Sequence, residues 1–167
     1  MSRELDTVRE AVADYLNRLG VPAAVAWPAQ ERLHREKAVA VVTLRAFQWG
    51  PAGFQTYLGE RYNQETGQWE ELYGHRARLT FGLDLYAPAQ AGETALQTAL
   101  DDLALACAGG GPDGLTFQEF SSGETVYDQD SRLLRKPAQA VCTVCLYAAA
   151  QPGGTFLDFE IRGEQIL

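Results

Sequence analysis

No apolar run in the sequence approaches the roughly 18 residues that a membrane-spanning helix requires, so we expect no transmembrane segment. The N-terminus likewise lacks the uninterrupted apolar core of a secretory signal peptide. Cysteine is scarce, with three among 167 residues, which indicates a reducing compartment. Together these absences predict a cytoplasmic protein that has no association with membranes.

The motifs of common catalytic and cofactor sites are also absent. There is no dinucleotide fingerprint and no G-x-S-x-G nucleophile turn, and the glycine-rich segment 109–114 lacks the lysine of a phosphate-binding loop. His34 and His75 stand in no metal-binding spacing. Cys142 and Cys145 form a C-x-x-C inside a strand pattern, where positions i and i+3 face opposite ways, so we interpret both as structural thiols. The sequence therefore predicts no catalytic residue, no cofactor and no metal ligand.

Positive charge is in short supply. The chain has 14 Lys and Arg residues against 22 Asp and Glu residues, for a formal net charge of -8. An acidic chain repels the phosphate backbone, so tight nucleic-acid binding is not expected. The length of 167 residues and the apolar fraction of 46% are typical of one globular domain, which we predict to span 1–167.

The spacing of apolar residues predicts the secondary structure. Strict alternation is clearest at Leu79, Phe81, Leu83 and Leu85, which indicates a strand with one buried face. Helical spacing predicts amphipathic helices at 4–19 and 93–107. The remaining predicted elements are strands at 22–27, 37–48, 115–121, 138–148 and 155–162, and a long hairpin of strands 53–62 and 69–87 that turns at 63–67.

Two predictions concern the ends of strands. Trp49, Gly50 and Pro51 are expected to break the strand at 37–48, and the polar segment 122–137 is expected to be a loop. The order of elements lacks the alternation of parallel α/β folds. It predicts an α+β fold in which a mostly antiparallel sheet carries two helices on one face and a projecting hairpin.

Asp84 lies on the face of the alternating strand opposite to its apolar residues. A carboxylate in that position can act as a general base, or it can pair across the sheet with Arg78 or Arg45. We favour pairing, because the sequence contains no other group that marks a catalytic site. The histidines and cysteines give no second catalytic partner.

The predicted hairpin is rich in aromatic residues that have both an apolar body and a polar tip. Such residues are enriched at protein interfaces, so Tyr57, Tyr62, Trp69 and Tyr73 are candidate interface residues. The alternative is that these rings pack beneath the helices of the same molecule. The sequence alone leaves both interpretations open.

The layout resembles the tail-terminator, or tail-completion, proteins of long-tailed bacteriophages and phage-like contractile particles. The similarity lies in the N-terminal amphipathic helix, the long hairpin, and the passage from Leu79–Pro88 through Gly92 into the helix at 93–107. The resemblance implies a homo-oligomeric ring, usually a hexamer, that ends the tail tube and joins it to head-connector proteins. It also implies that the protein has no cofactor, catalyses nothing, and leaves the bacterial cytoplasm as part of a virion or phage-like particle.

For such a ring the interface candidates are the four hairpin aromatics together with Arg132, Arg135 and Lys136 in the segment 122–137. An acidic wall around the opening would repel passing DNA. Two alternatives remain. The chain is another tail, baseplate or connector subunit, or it is an α+β domain that binds a small ligand or acts as an enzyme through a pocket between sheet and helices.

Overall fold

The computed structural model describes residues 2–26, 37–51, 57–112, 115–150 and 156–163. Within these ranges there are two α-helices, α1 (Ser2–Arg18) and α2 (Gly92–Ala108), and a 3₁₀ turn at Ala89–Ala91 precedes α2. The strands are β1 (Ala23–Ala24), β2 (Val39–Pro51), β3 (Tyr57–Asn63), β4 (Gln68–Ala87), β5 (Phe117–Ser122), β6 (Val126–Asp128), β7 (Leu133–Lys136), β8 (Ala138–Ala150) and β9 (Phe156–Gly163).

One long strand, β4, organises the sheet. Along one edge it pairs first with β3 and then with β2, and along the other edge with β8 and then with β7. Strand β8 in turn pairs with β5 and β9, and β7 pairs with β6. All of these pairings are antiparallel, and the short β1 pairs parallel to β2. The predicted α+β fold with a mostly antiparallel sheet is thus confirmed.

Both helices pack on the same face of this sheet. Alternate residues of β4 from Ala77 to Ala87 point into the core, and the four large ones predicted from the alternation are fully buried. Phe117 of β5 meets Phe81 edge-to-face, with ring centroids 6.2 Å apart. The helices bury the apolar stripes expected of them, which are Val12 and Leu16 on α1 and Leu96, Leu103, Ala106 and Cys107 on α2.

Specific polar contacts fix the two helices. The Tyr15 hydroxyl of α1 donates to the Ala106 carbonyl of α2 at 2.8 Å, which ties the helices together over the sheet. After α1, Gly20 adopts a φ of 82°, a left-handed conformation that favours glycine. The Asn17 side chain then bonds both backbone groups of Ala23, each at 2.9 Å, and so places β1 beside β2.

The predicted break at Trp49, Gly50 and Pro51 is wrong. Strand β2 continues through all three residues, and Pro51 pairs with His75 of β4. A proline is tolerated on a strand whose outer edge needs no hydrogen bond from it. Beyond Val41, no described strand pairs with the outer edge of β2. Strand β2 is irregular at a different place, where a bulge between Leu44 and Ala46 leaves Arg45 unpaired in the ladder.

The segment 122–137 was predicted to be a loop, but the structure forms more than a loop there. It contains the small hairpin of β6 and β7, whose turn is held by Asp128 accepting hydrogen bonds from the backbone and hydroxyl of Ser131. Arg132 follows with a φ of 58°. The hairpin is anchored by Leu133, which is buried with Val39 in a small second cluster on the sheet face away from the helices. The few apolar residues of this polar segment, among them Val126, Leu133 and Leu134, gave too weak a pattern for prediction.

Other boundaries agree closely. The helices predicted at 4–19 and 93–107 are Ser2–Arg18 and Gly92–Ala108, and the three later strands are found within two residues of their predicted starts and ends. The first strand is shorter than predicted, at Ala23–Ala24. Positions 27, 53–56 and 155 of the predicted strands, and His34, lie outside the described residues.

Candidate functional site

The hairpin of β3 and β4 turns over four residues, 64–67, as the sequence predicted. The Asn63 side-chain oxygen accepts from the backbone N–H groups of Glu65 and Thr66, and the Asn63 carbonyl accepts from Gly67 at 2.8 Å. Gly67 has a φ of 67°, which closes the turn in a conformation that favours glycine. The turn fixes the register that sets Tyr62 opposite Trp69, and a bulge between Tyr57 and Gly59 then sets Tyr57 opposite Tyr73.

These opposed rings form two edge-to-face pairs. The ring centroids of Tyr62 and Trp69 are 5.6 Å apart, and those of Tyr57 and Tyr73 are 5.5 Å apart. Trp69 is 63% exposed, and Tyr57 and Tyr62 are also exposed, so of the two interpretations left open by the sequence, packing beneath the helices does not apply to these three rings. Tyr73 is half-buried.

Two further aromatic residues extend this surface. Trp49 pairs with Ala77 and Phe47 with Leu79, so both side chains lie on the helix-bearing side of the sheet. Both are exposed, and Trp49 packs against His75 with centroids 4.5 Å apart. We call Phe47, Trp49, Tyr57, Tyr62, Trp69 and Tyr73 the aromatic face. Sequence reasoning missed both residues, because it looked for interface aromatics only in the hairpin, placed Phe47 within the strand at 37–48 and ended that strand before Trp49.

The aromatic face also carries a pair of acidic residues. Glu60 and Glu71 are direct cross-strand partners between the two ring pairs, and both are exposed. The Tyr73 hydroxyl donates to Glu71 Oε2 at 2.6 Å, and this bond is the main reason that the pKa of Tyr73 is raised. Desolvation, followed by the charges of Glu60 and Glu71, raises the pKa of Tyr57 as well. Like charges placed directly opposite each other in a sheet are unfavourable.

On the reverse face of the same hairpin, the carboxylate of Glu70 is buried and has hydrogen-bond partners within the chain. Glu70 is 3% exposed and accepts from Arg61 Nε at 3.1 Å and from the Asn63 side-chain amide at 2.7 Å. Arg61 is its direct cross-strand partner. A buried carboxylate needs such partners, since its desolvation is otherwise costly.

A second polar site is centred on Asp84, on the sheet face away from the helices. Its Oδ1 accepts from the Arg45 guanidinium and from the backbone N–H of Ala138, and its Oδ2 accepts from Arg135 Nε at 3.0 Å and from a terminal nitrogen of Arg135 at 2.7 Å. Arg45 also donates to the Ala138 carbonyl at 3.1 Å. Asp84 is 8% exposed. The site thus links β2, β4, β7 and the start of β8.

The bulge and a glycine make this arrangement possible. A Cβ atom on Gly82 would meet the Thr43 hydroxyl and lie 2.8 Å from Arg45 Nε, so only glycine leaves room for Arg45 to cross β4. The bulge at Arg45 directs its side chain toward Asp84. Arg45 was one of two partners predicted for Asp84. The other, Arg78, pairs instead with Glu119 at 2.9 Å.

Arg135, an interface candidate, is engaged in this site. Its hydrogen bond to Asp84 is the largest cause of a raised Arg135 pKa. With four donors directed at its two oxygens, Asp84 is held as an acceptor, which suits a structural link better than proton transfer. Arg132 is exposed in the β6–β7 turn, and Lys136 is half-buried opposite Leu85.

The interface candidates therefore form two groups, one at each end of β4. The hairpin aromatics pair with residues 69–73, whereas β7, which carries Arg135 and Lys136, pairs with residues 85–87. The structure brings the hairpin aromatics together, whereas Arg135 and Lys136 point to opposite faces of the sheet. The two groups are separated along a strand of 20 residues.

Two of the three thiols are buried in the core. Cys107 and Cys142 are buried and unpaired, and desolvation raises the pKa of each to about 12. Cys145 is three residues beyond Cys142 on the same strand, β8, as predicted. The described residues contain no cluster of three His, Cys, Asp or Glu side chains able to hold a metal ion.

Two searches add no further identification. No protein-family model matches the chain, and no curated protein is significantly similar to it. Among the helices that the structure describes, none has both the length and the apolar character required to cross a membrane.

Proposed function

We propose that the protein is a structural subunit of a larger protein assembly and that the aromatic face is one of its contact surfaces. The exposure of five large aromatic side chains on one connected stretch of sheet is the observation that supports this proposal. Scattered exposed apolar residues are normal, but a contiguous group of them marks a site of interaction. Trp and Tyr are also the residues that contribute most at the centres of interfaces.

The resemblance in layout narrows the proposal to a ring-forming subunit similar to phage tail terminators. Such a subunit would self-associate and contact tail-tube and head-connector proteins, and it would be found in a virion or phage-like particle. In a cyclic ring each subunit presents one surface to the next, so two different surfaces of one chain are needed. The exposed β6–β7 turn is a candidate for one of these ring surfaces. The aromatic face lies at the opposite end of β4 and is a candidate for the contact with a tail-tube or head-connector protein.

The proposal is tested by the mass of the purified protein in solution, combined with electron microscopy, alone and after addition of a tail-tube protein. We expect a discrete oligomer or a capped tube. A strictly monomeric protein under both conditions would contradict the proposal.

Two matched variants locate the surface. Trp69→Ser removes an exposed ring from the aromatic face, whereas Leu105→Ser removes an apolar side chain that is 73% exposed on α2. We expect Trp69→Ser to weaken assembly at least tenfold, on the order of a hot-spot residue, and Leu105→Ser to leave it unchanged. Equal effects of the two substitutions would show that the aromatic face has no special role.

A further inference from the structure

We infer that the aromatic face binds a basic segment of a different protein chain, one that presents Arg or Lys side chains to Glu60 and Glu71. This inference builds on the proposed function, because it takes the aromatic face to be an interface and specifies the chemistry of its partner. It starts from a contrast between the two faces of a single hairpin.

On the reverse face, the carboxylate of Glu70 has its cation within the chain, since Arg61 lies directly across from it. On the aromatic face, Glu60 and Glu71 lie directly across from each other. Neither forms an ion pair anywhere in the described structure, and the hydrogen bond to Glu71 comes from a neutral hydroxyl, that of Tyr73. Among the described residues, the hairpin thus neutralises one carboxylate and supplies no counterion to the two opposed charges.

The surroundings of this acidic pair are also suited to a cation. One aromatic pair, Tyr62 with Trp69, lies on one side of it, and the other, Tyr57 with Tyr73, lies on the other side. Aromatic faces attract ammonium and guanidinium groups, and Trp does so most strongly. A carboxylate beside such a ring adds a charge-assisted hydrogen bond, which for guanidinium can be bidentate. An anionic or purely apolar partner would leave the two carboxylates repelled or desolvated.

The chain itself is a poor source of this cation. It carries a net charge of -8, and five of its arginines already form ion pairs with its own carboxylates. The exposed Arg132 belongs to a turn that also contains Asp128 and Asp130, so the turn as a whole does not offer positive charge. Charge complementarity therefore favours a separate, basic chain over a second copy of this one.

The inference is tested by isothermal titration of the full chain with a short peptide containing three arginines separated by glycines. The control peptide has citrulline in place of arginine, which keeps the shape and removes the charge. We expect the arginine peptide to bind about tenfold more tightly than the citrulline peptide, since cation–π and carboxylate contacts are both lost in the control. Equal binding of the two peptides, or no binding of either at millimolar concentration, would overturn the inference.

A pair of charge-matched variants locates the binding site. Glu60→Gln with Glu71→Gln removes two charges from the aromatic face, and Asp101→Asn with Asp102→Asn removes two exposed charges from α2. We expect the first variant to bind the arginine peptide about fivefold more weakly and the second to bind it like the unchanged protein. Equal weakening by both would reflect net charge alone and would contradict a defined site.

The same variants separate this inference from the proposed function. If Glu60→Gln with Glu71→Gln abolishes self-association of the protein alone, the occupant is a second copy and the inference is wrong, although the assembly proposal stands. Suppose instead that the protein binds the arginine peptide about tenfold more tightly than the citrulline peptide, but Trp69→Ser leaves assembly unchanged. The inference then holds, and the aromatic face is not the surface on which assembly depends.

Discussion

The two halves of β4 show what the same strand does with and without helices above it. From Ala77 to Ala87 its core-facing side chains are completely buried beneath α1 and α2. From Trp69 to Tyr73 the same side of the strand is open: Trp69 and Glu71 are exposed, and Tyr73 is half-buried. Both halves alternate in the same way, so alternation alone does not reveal whether a face is covered within the molecule.

The two halves of β4 also differ in the partners of their carboxylates. In the covered half, the reverse face holds Asp84 between Arg45 and Arg135, and each oxygen of the carboxylate has two donors. In the open half, Glu60 and Glu71 face each other, and neither forms an ion pair with a residue that the structure describes. In the covered half, the charge of Asp84 is paired within the chain. The open half combines the aromatic residues typical of an interface core with two exposed acidic residues.

The largest expected effect of burial in the covered half is on thiol reactivity. Cys107 of α2 and Cys142 of β8 belong to the core that the covered half of β4 forms with the helices, where burial raises the pKa of each to about 12 from an ordinary value of 9.0. Their thiolate fraction at pH 8 should be lower by about a thousandfold than in the unfolded chain. Alkylation by iodoacetamide in a Cys145→Ser variant, with and without denaturant, measures this. Rapid alkylation of the folded protein would contradict the burial.

The same pKa shifts have a sign that can be checked. Because the folded state holds both thiols as neutral groups, their contribution to stability is fully present below pH 9 and is lost as the pH rises toward 12. Replacing both cysteines by alanine should flatten this alkaline loss, as measured by denaturant unfolding across that range of pH. An unchanged slope would show that the thiols do not cause it.

The next largest effect is expected in the core of the covered half. Phe81→Ala removes a fully buried ring that also contacts Phe117, so the free energy of unfolding should fall by about 3–5 kcal/mol. By contrast, Trp69→Ser in the open half should change it by less than about 1 kcal/mol, the range of one cross-strand pair. Chemical denaturation of both variants measures the difference. Similar losses would mean that the open half also belongs to the core.

A smaller loss is expected at the Asp84 site. Asp84→Ala leaves two guanidinium groups without their acceptor, but both are about one-third exposed, so we expect a loss of roughly 1.5–3 kcal/mol. The matched control is Glu119→Ala, which removes an exposed pair with Arg78 and should cost less than about 0.5 kcal/mol. If the control costs as much as Asp84→Ala, the buried site has no special weight in stability.

The fit of Arg45 over β4 gives a related and still smaller expectation. Gly82→Ala places a Cβ atom against Thr43 and Arg45, so it should destabilise the protein by about 1–2 kcal/mol, as overpacking does. Gly50→Ala on β2 is the control, because its added methyl would meet nothing within 4 Å. Thermal unfolding of the two variants compares their stabilities. Equal midpoint temperatures would show that Arg45 moves aside without loss of stability.

Much of the covered half follows from local pattern. The alternation from Leu79 to Leu85 and the helical spacing of α1 and α2 each require only neighbouring residues, so they predict the core and the helix-bearing face correctly. The path of β2 through Trp49, Gly50 and Pro51 depends on its pairing with β4, which local turn preferences do not contain. The same is true of the β6–β7 hairpin, whose anchor Leu133 packs on a distant strand.

The candidate site shows the same division. The four hairpin aromatics were predictable from composition, because their residue types alone suggest an interface. The acidic pair was not, since the opposition of Glu60 and Glu71 depends on the register that the turn sets. The engagement of Arg135 with Asp84 also depends on long-range pairing, here between residues 51 positions apart.

The central claim is that the aromatic face is completed by another protein chain. Electron microscopy of the assembled particle, at a resolution that shows side chains, tests it most directly. The account predicts density of a neighbouring chain over Trp69 and Tyr62, with a basic side chain between Glu60 and Glu71. An assembled particle in which these rings and carboxylates still face open solvent would contradict it.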